Sequence, residues 1–280
     1  MKLSIITINW NNADGLQKTI QSIVSQTYKD FEYVIIDGCS KDRSVEIIQH
    51  FAKQFPINWV SEPDKGIYNA MNKGITRASG EYLHFLNSGD ILFDNQVVEK
   101  MVSQLAANNQ PDILIGKLHK HLIDGTLFPN PINRNFSFLR FYSNSINHPA
   151  TYIKKELFLK YGLYDESLKI VSDWKWFMQA IIFGGEKPVY VDMNVTLFDM
   201  TGISESVESK EKIQEERQKV LKKLIPEVYL RDYERYSNEI YMMRRINRHP
   251  WVFKLVWFVE RCLFKLEKRQ NKKKSIQSWD

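Results

Sequence analysis

The sequence predicts an α/β fold in which short buried strands alternate with amphipathic helices around a parallel sheet. Three observations carry that expectation. Over the first 90 residues, apolar strand-like runs recur at 3–8, 31–36, 57–60 and 82–86. Apolar residues at helical spacing fill the intervals, strand and helix alternating every 10–15 residues or so, as βαβ crossovers require. Each run also gives way to small or polar residues, where a strand would leave the core and meet solvent.

The first run, 3–8, is apolar apart from Ser4 and Thr7 and is followed at once by Asn9, Trp10, Asn11 and Asn12. Residues 14–26 then place Leu16, Ile20, Ile23 and Val24 at helical spacing. The second strand, 31–36, ends in Asp37-Gly38-Cys39-Ser40-Lys41-Asp42. A helix over 43–53 would bury Val45, Ile48 and Ala52, and 57–60 is the third strand. Residues 67–78 read as helix, and 82–86 as an aromatic-rich buried strand that stops at Asn87-Ser88-Gly89-Asp90. A turn that only reverses the chain has the same composition. In open α/β sheets, however, ligands gather at the carboxyl ends of strands. An acid beside a permissive glycine there suits a hard divalent cation.

Residues 93–107 form an amphipathic helix pattern with Val97, Met101, Val102 and Leu105 on one face. Residues 112–117 and 119–127 are strand-like, with the Asp124-Gly125 turn signal beside them. The segment 130–144, rich in Asn, Arg, Phe and Tyr, reads as irregular, and 146–150 leads into a strand at 151–153. Val171-Ser172-Asp173-Trp174 opens a helix whose stripe is Trp174, Phe177, Met178 and Ile181. Asp173 falls in its first turn, where unpaired amides stabilise a carboxylate.

From about residue 209 the composition changes to charged helix, over 211–224 and 227–245 with Pro226 between them. The net charge of +6 lies here: residues 231–280 hold 13 Lys/Arg against 6 Asp/Glu, leaving the rest of the chain at −1. The body is nearly neutral and need not meet nucleic acid. Residues 251–266 are dense in Trp, Phe, Val and Leu but include Lys254, Glu260 and Arg261. That run falls short of the roughly 20 apolar residues a membrane span requires. Aromatics beside the lysines of 267–274 fit a helix lying in the headgroups of an anionic membrane surface, through residues 251–274. A helix docked on its own domain, or on a second copy as a homodimer, is the alternative. Cys39 and Cys262 give neither a disulfide framework nor metal-ligand spacing. The first residues are too polar for a signal peptide. A cytoplasmic chain, peripheral on the inner face of the cell membrane, is the expectation.

No Gly-x-Gly-x-x-Gly or Gly-x-x-x-x-Gly-Lys-Ser/Thr occurs in the first half, and the loop Asn9–Asn12 has no glycine. Bare backbone cannot cradle a phosphate there, which argues against a dehydrogenase or a P-loop enzyme. The strand ends carry Asn9, Asn11, Asp37, Asp64, Asn87 and Asp90 instead. Amides and a carboxylate can read the edge of a nucleobase, and a further carboxylate can hold the metal that neutralises a diphosphate.

Four blocks stand in order: Ser-Ile-Ile-Thr-Ile-Asn-Trp-Asn at 4–11, Ile-Asp-Gly-Cys-Ser-Lys-Asp-Arg-Ser at 36–44, Ser-Glu-Pro-Asp-Lys-Gly-Ile-Tyr-Asn-Ala-Met-Asn-Lys-Gly at 61–74, and Phe-Leu-Asn-Ser-Gly-Asp at 85–90. Together they resemble the family 2 glycosyltransferases of GT-A fold, and most nearly the bacterial surface-polysaccharide and colanic-acid type. The resemblance is dense over 3–90 and thinner to about residue 204. It implies a GT-A domain over 1–208, with a nucleotide-sugar donor half (1–90) and a mixed-sheet acceptor half (91–208), then a basic helical extension (209–280).

By the same resemblance, Thr7, Asn9 and Asn11 line the nucleotide pocket and Asp37 reads the base. Asp64, Gly66, Asn69 and Asn72 lie along the nucleotide and donor sugar. Asn87, Ser88 and Asp90 belong to the Asp-x-Asp element. Its first acid is Asn87 here, so Asp90 would carry most of the coordination of a divalent cation, Mn²⁺ or Mg²⁺. Asp173 stands where the family has its catalytic base, with Ser172 rather than a second acid before it. His148 resembles the histidine near the diphosphate and acceptor, and Thr201-Gly202-Ile203-Ser204 the segment that closes the site. The implied reaction is metal-assisted direct displacement with inversion. A sugar would pass from a nucleotide-diphosphate sugar, usually a UDP-sugar, to a hydroxyl of a glycan or lipid-linked acceptor in bacterial polysaccharide biosynthesis. A nucleotidylyltransferase would need a glycine-rich basic loop that residues 9–15 do not supply. A non-catalytic, membrane-associated binding subunit is favoured by Asn87 alone.

Overall fold

The computed structural model describes residues 2–121, 126–130, 136–200 and 207–277. The first half alternates as expected: β1 (Leu3–Asn9), α1 (Ala13–Val24), β2 (Phe31–Asp37), α2 (Ser44–Ala52), β3 (Ile57–Ser61), α3 (Ile67–Arg77) and β4 (Tyr82–Phe85). Then come β5 (Ile91–Leu92), α4 (Val97–Ala107), β6 (Ile113–His121), β7 (Leu127–Pro129), α5 (Phe138–Ser143), β8 (Thr151–Lys154), α6 (Glu156–Tyr161), α7 (Ser172–Phe177) and β9 (Val189–Asp199). Three helices follow: α8 (Val207–Leu224), α9 (Glu227–Asn247) and α10 (Pro250–Gln277).

Among the described residues the strands form one mixed sheet in the order β3-β2-β1-β4-β8-β6-β9-β5, with β7 paired to β6. β1 runs parallel to β2 and β4, and β2 to β3. β8 runs antiparallel to both β4 and β6, and β6 parallel to β9. Every residue of β1 is buried, because helices cover both faces of a parallel sheet. One layer packs Leu16, Ile20 and Ile23 of α1 against Ile5, Tyr33 and Ile35. On α3, a Cβ at Gly74 would meet Ile6 Cγ2 at 2.5 Å, so glycine lets this helix lie close on β1.

Several elements differ from the sequence reading. α4 starts four residues late because Ile91 and Leu92 pair with Leu197 and Thr196 of β9 and the Phe93 amide donates to the Val195 carbonyl. β6 runs unbroken from the first strand-like stretch after residue 111 into the second, as far as His121, and a helix, α5, forms within 130–144. α7 continues as a π-helix over Met178–Phe183, whose end shows in the Gly184 amide donating to the Gln179 carbonyl. The Asp124-Gly125 turn and the 201–204 segment lie outside the described residues.

The chain divides into two compact units, Met1–Val220 and Leu221–Asp280. The second holds α9 and α10. No helix among the described residues is long and apolar enough to cross a membrane.

Candidate active site

β1 and β4 are neighbours, yet the chain steps from β1 outward to β2 and β3 on one side before returning to β4 on the other. This reversal opens a crevice at the carboxyl ends of the strands. Asn9, Asp37 and residues 87–90 all stand there.

Asp37 is fully buried and its carboxylate accepts four hydrogen bonds. They come from Asn9 Nδ2 (2.8 Å), Ser40 Oγ (2.6 Å), the Ser40 amide (3.0 Å) and Ser61 Oγ (2.6 Å). A base edge therefore reaches this acid only by displacing one of the protein's own donors. Asn9 Oδ1 is buried without a partner among the described residues, an acceptor left open beside it. Asn11 sits at φ 48° and binds the Lys41 amide. Asp64 Oδ2 lies 2.5 Å from where a Cβ on Gly38 would be, with Trp10 Cδ1 at 3.2 Å from the same point. Glycine at 38 thus keeps the gap between Trp10 and Asp64 open, and the Trp10 ring is 66% exposed. A cleft of about 520 Å³ continues past Asn11, Asn12, Lys41 and Asp42, whereas a larger one of about 810 Å³ between α4 and β9 holds no candidate residue.

Thr7 lies beneath this crevice rather than on it. Its hydroxyl donates to the Leu86 carbonyl at 2.8 Å and accepts from Tyr33, tying β1 to β4 inside the core. Asn72 is buried and clamps the Tyr164 amide and carbonyl, and the half-buried Asn69 joins it in binding the Glu166 carboxylate, each at 2.9 Å. These two amides join α3 to residues 164–166. Gly66, at φ 125°, opens α3 with its amide on Asp64 Oδ1.

The loop after β4 is held by the Ser88 amide on the Ile8 carbonyl and by Asn12 on the Ser88 carbonyl. Asn87 Oδ1 is buried with no partner among the described residues. Asp90 is 4% exposed, and its Oδ1 accepts the Asp199 amide at 3.0 Å. Burial pushes Asp90 up to about 8 although the Asp199 amide pulls it down, with the Asp199 charge adding a smaller upward push. Asp199 Oδ2 stands 2.6 Å from where a Cβ on Gly89 would be, so the β9 carboxylate fills the place of a side chain at residue 89.

Asp173 belongs to the second half but is held by the first. Tyr68 Oη of α3 lies 2.8 Å from Asp173 Oδ1 and 2.6 Å from the Ile170 carbonyl, its single proton serving both. The N-cap residue of α7 is Val171, whose side chain has no polar atom to cap it. Burial, then the charge of Asp173, raise Tyr68 and Tyr164 well above the ordinary phenol range. His148 Nε2 is 2.9 Å from the Tyr164 hydroxyl and its ring stacks on Phe85 at 5.0 Å. Burial lowers its pKa against the pull of Asp173. Tyr68 binds Asp173 directly, while Tyr164 and His148 lie within reach of its charge.

The model of glycosyl transferase family 2 matches residues 4–164. An uncharacterized glycosyltransferase of Mycobacterium tuberculosis is 34% identical over 204 residues, covering 72% of this chain and 76% of the relative. The chain belongs to glycosyl transferase family 2. This glycosyltransferase is also 27% identical over 211 residues to a PGL/p-HBAD biosynthesis glycosyltransferase of Mycobacterium bovis, covering 74% and 81% of the two chains. Its fold matches that of S. aureus TarS 1–349 in complex with UDP-GlcNAc, with TM-score 0.61 at 18% identity over 82% of this chain and 69% of that one. A mannosyltransferase from Pyrobaculum calidifontis in complex with GDP-Man and Mn²⁺ gives TM-score 0.55 at 17% identity, over 70% and 56% of the two chains. The fold is GT-A, as the four sequence blocks imply.

The structure of the glycosyltransferase brings Asn9, Asp37, Asp64 and residues 87–90 to one crevice, and Tyr68 to Asp173. It sets Thr7 below the crevice and turns Asn69 and Asn72 toward Glu166. Sequence reasoning missed Tyr68, Glu166 and Asp199. Tyr68 lies within the third block and could have been marked there, but Asp199 carries no local signal that ties it to Asp90.

Proposed function

We propose that this glycosyltransferase transfers a sugar with inversion from a nucleotide-diphosphate sugar, a UDP-sugar first among the candidates, to a hydroxyl of a glycan or lipid-linked acceptor. Asp173 is its general base. The observation that carries the reading is the 2.8 Å contact of Tyr68 with Asp173 across 105 residues of sequence, which fixes the acid of the second half against the donor half. Asn9, Asp37 and Asp64 form the nucleotide end, and Trp10 offers a face on which a base can stack. The donors seen with structural neighbours, UDP-GlcNAc and GDP-Man, set the first candidates. The PGL/p-HBAD name of one relative favours a lipid-linked acceptor.

A divalent cation fits the residues present. The Asp90 carboxylate takes the Asp199 amide, the Asp199 carboxylate lies against Gly89, and Asn87 in the same loop has a side-chain oxygen with no partner among the described residues; all are hard oxygen donors. Among the described residues no third acid, histidine or cysteine joins them, so donor phosphates and water would complete the shell. When bound, the cation would offset charge on the departing diphosphate. The protein's own part is to hold the acceptor hydroxyl at Asp173 and take its proton. A single base on the face opposite the diphosphate would make the reaction a direct displacement with inversion. Residues 251–274 hold the enzyme at the inner face of an anionic membrane.

Calorimetry with a panel of UDP-, GDP- and dTDP-sugars, with and without Mn²⁺, tests this reading. Binding of one sugar nucleotide, with slow release of its nucleoside diphosphate, is the expected result. Failure to bind any of them overturns it.

A further inference from the structure

The glycosyltransferase reading leaves α8 without a role, although this helix reaches the backbone that delivers Asp173. Glu216 is 6% exposed within a stretch, Glu211 to Lys219, that is otherwise rich in charge. Its carboxylate accepts three consecutive backbone amides: Lys169 at 2.8 Å on Oε1, then Ile170 at 3.0 Å and Val171 at 3.3 Å on Oε2. These three residues immediately precede α7, and Asp173 is its second residue. The neighbouring Arg217 sets its guanidinium over the Trp174 ring at 5.0 Å. Burial pulls that guanidinium below its ordinary range while the Asp173 charge opposes the pull, so Arg217 lies within electrostatic reach of the acid. Ser209, Glu216 and Val220 are buried and Ile213 and Arg217 half-buried, a stripe at helical spacing. A surface helix normally buries apolar groups on such a face. Here an acid and a cation occupy it, one on the residues before Asp173 and one on the residue after.

We propose that Glu216 is a positioning residue for Asp173, fixing the 169–171 backbone so that the carboxylate meets the acceptor hydroxyl. The proposal rests on Asp173 being the base. Charge-assisted hydrogen bonds from a buried carboxylate are strong and directional, and their loss would leave the buried Val171 amide unpaired and free the two amides before it. The segment would relax toward other partners. A displacement of about 1 Å at a reacting group can cost roughly 10²-fold in rate. On this account α8 up to Val220 belongs to the catalytic machinery.

The test compares Glu216→Ala, Glu216→Gln and Asp173→Asn in the full chain. The substrate is whichever of UDP-GlcNAc, UDP-glucose and GDP-mannose the wild-type protein hydrolyses fastest. For Glu216→Ala, kcat per folded molecule should fall about 10–100-fold, with KM for the donor within about threefold and amide exchange faster at 169–175. Glu216→Gln keeps one acceptor oxygen and should lie between Ala and the wild type, a graded rescue that loss of packing alone does not give. Wild-type kcat in both Glu216 variants, with or without a lower Tm, overturns the proposal. Should Glu216→Ala not fold, Glu216→Gln decides alone: unchanged kcat overturns, reduced kcat at constant KM supports. A slow Asp173→Asn beside normal Glu216 variants sinks the positioning role only. A normal Asp173→Asn overturns the base assignment, and the positioning role with it.

Discussion

Asp90 at the end of the β4 loop accepts the backbone amide of Asp199 at the end of β9, 109 residues away, at 3.0 Å. The contact pins the far side of the sheet to the donor crevice and sets two acids side by side.

One consequence concerns pH. Asp90 is raised to about 8 by burial, against the hydrogen bond from the Asp199 amide, from an ordinary 3.8. A carboxyl raised in the folded state contributes stability that is full below about 3.8 and lost as pH rises through about 8. The metal-free protein should therefore lose Tm between pH 5 and pH 8, and Asp90→Asn should flatten that slope. A cation must displace this proton, so Mn²⁺ affinity should rise with pH up to about 8, with roughly one proton released per ion at pH 7. Calorimetry in buffers of different ionisation enthalpy reads the proton directly. Affinity independent of pH would remove Asp90 from the cation site. Asn87→Asp should preserve or strengthen cation binding, since a carboxylate replaces an amide.

Gly38 separates Trp10 from Asp64. A methyl at 38 would press on Asp64 Oδ2 at 2.5 Å and Trp10 Cδ1 at 3.2 Å. Both are side-chain atoms at the mouth of the crevice, so they can move aside and the fold should survive. Gly38→Ala is expected to weaken nucleoside-diphosphate binding about tenfold, ~1.4 kcal/mol, with Tm nearly unchanged. Unaltered affinity by calorimetry would place the nucleotide elsewhere.

Asp173→Asn retains the shape of the side chain and its contact with Tyr68 but cannot take a proton. Transfer should fall by roughly 10²–10⁴-fold, the range of general-base loss, while donor affinity is kept. Tyr68→Phe removes one hydrogen bond to a charged acceptor and should cost less, about 1.5–3 kcal/mol of its hold on the acid. Single-turnover rates distinguish the two. Wild-type transfer with a lowered Tm in Asp173→Asn would make the carboxylate merely structural.

The donor half was legible because its strands are buried on both faces and its helices bury one, so apolar runs and helical periods stand out against polar strand ends. β9 was not: its residues are mostly half-buried, and Asp192 and Asn194 break the run. α6 spans six residues, too few for a period to register. Acidic and amide residues at strand ends were found, but their partners were not. Asp37 and Asn72 looked like groups facing a ligand, and the structure occupies both with contacts to residues distant in sequence, Asn9 and Ser61 on Asp37 and Tyr164 on Asn72. Glu216 sits in a run of charge, where nothing local sets a buried acid apart from exposed ones.

The last expectation concerns α10. Trp251, Trp257, Phe258 and Phe264 are each more than half exposed, and Arg261 lies over Trp257 at 4.5 Å. Lys254, Arg261, Lys265 and Lys268 recur at intervals of seven, four and three, a basic stripe along a helix whose remaining residues through 266 are apolar apart from Glu260 and Cys262. Such a helix can sink its aromatics into the headgroup boundary while its cations reach anionic phosphates. Each Lys or Arg near the surface contributes about 1 kcal/mol, and burying two or three aromatics adds several more. Truncation after Arg248, where α9 has ended, should release the protein from vesicles rich in anionic lipid. Sugar-nucleotide hydrolysis should be nearly unaffected, since every proposed site residue precedes the cut. Binding of the intact chain should weaken as salt rises, because at 0.15 M screening already limits surface attraction to about 8 Å. Co-sedimentation at several salt concentrations measures both effects. If the full chain never sediments with vesicles and truncation instead turns a dimer into a monomer, α10 covers a second copy of the chain and not a membrane.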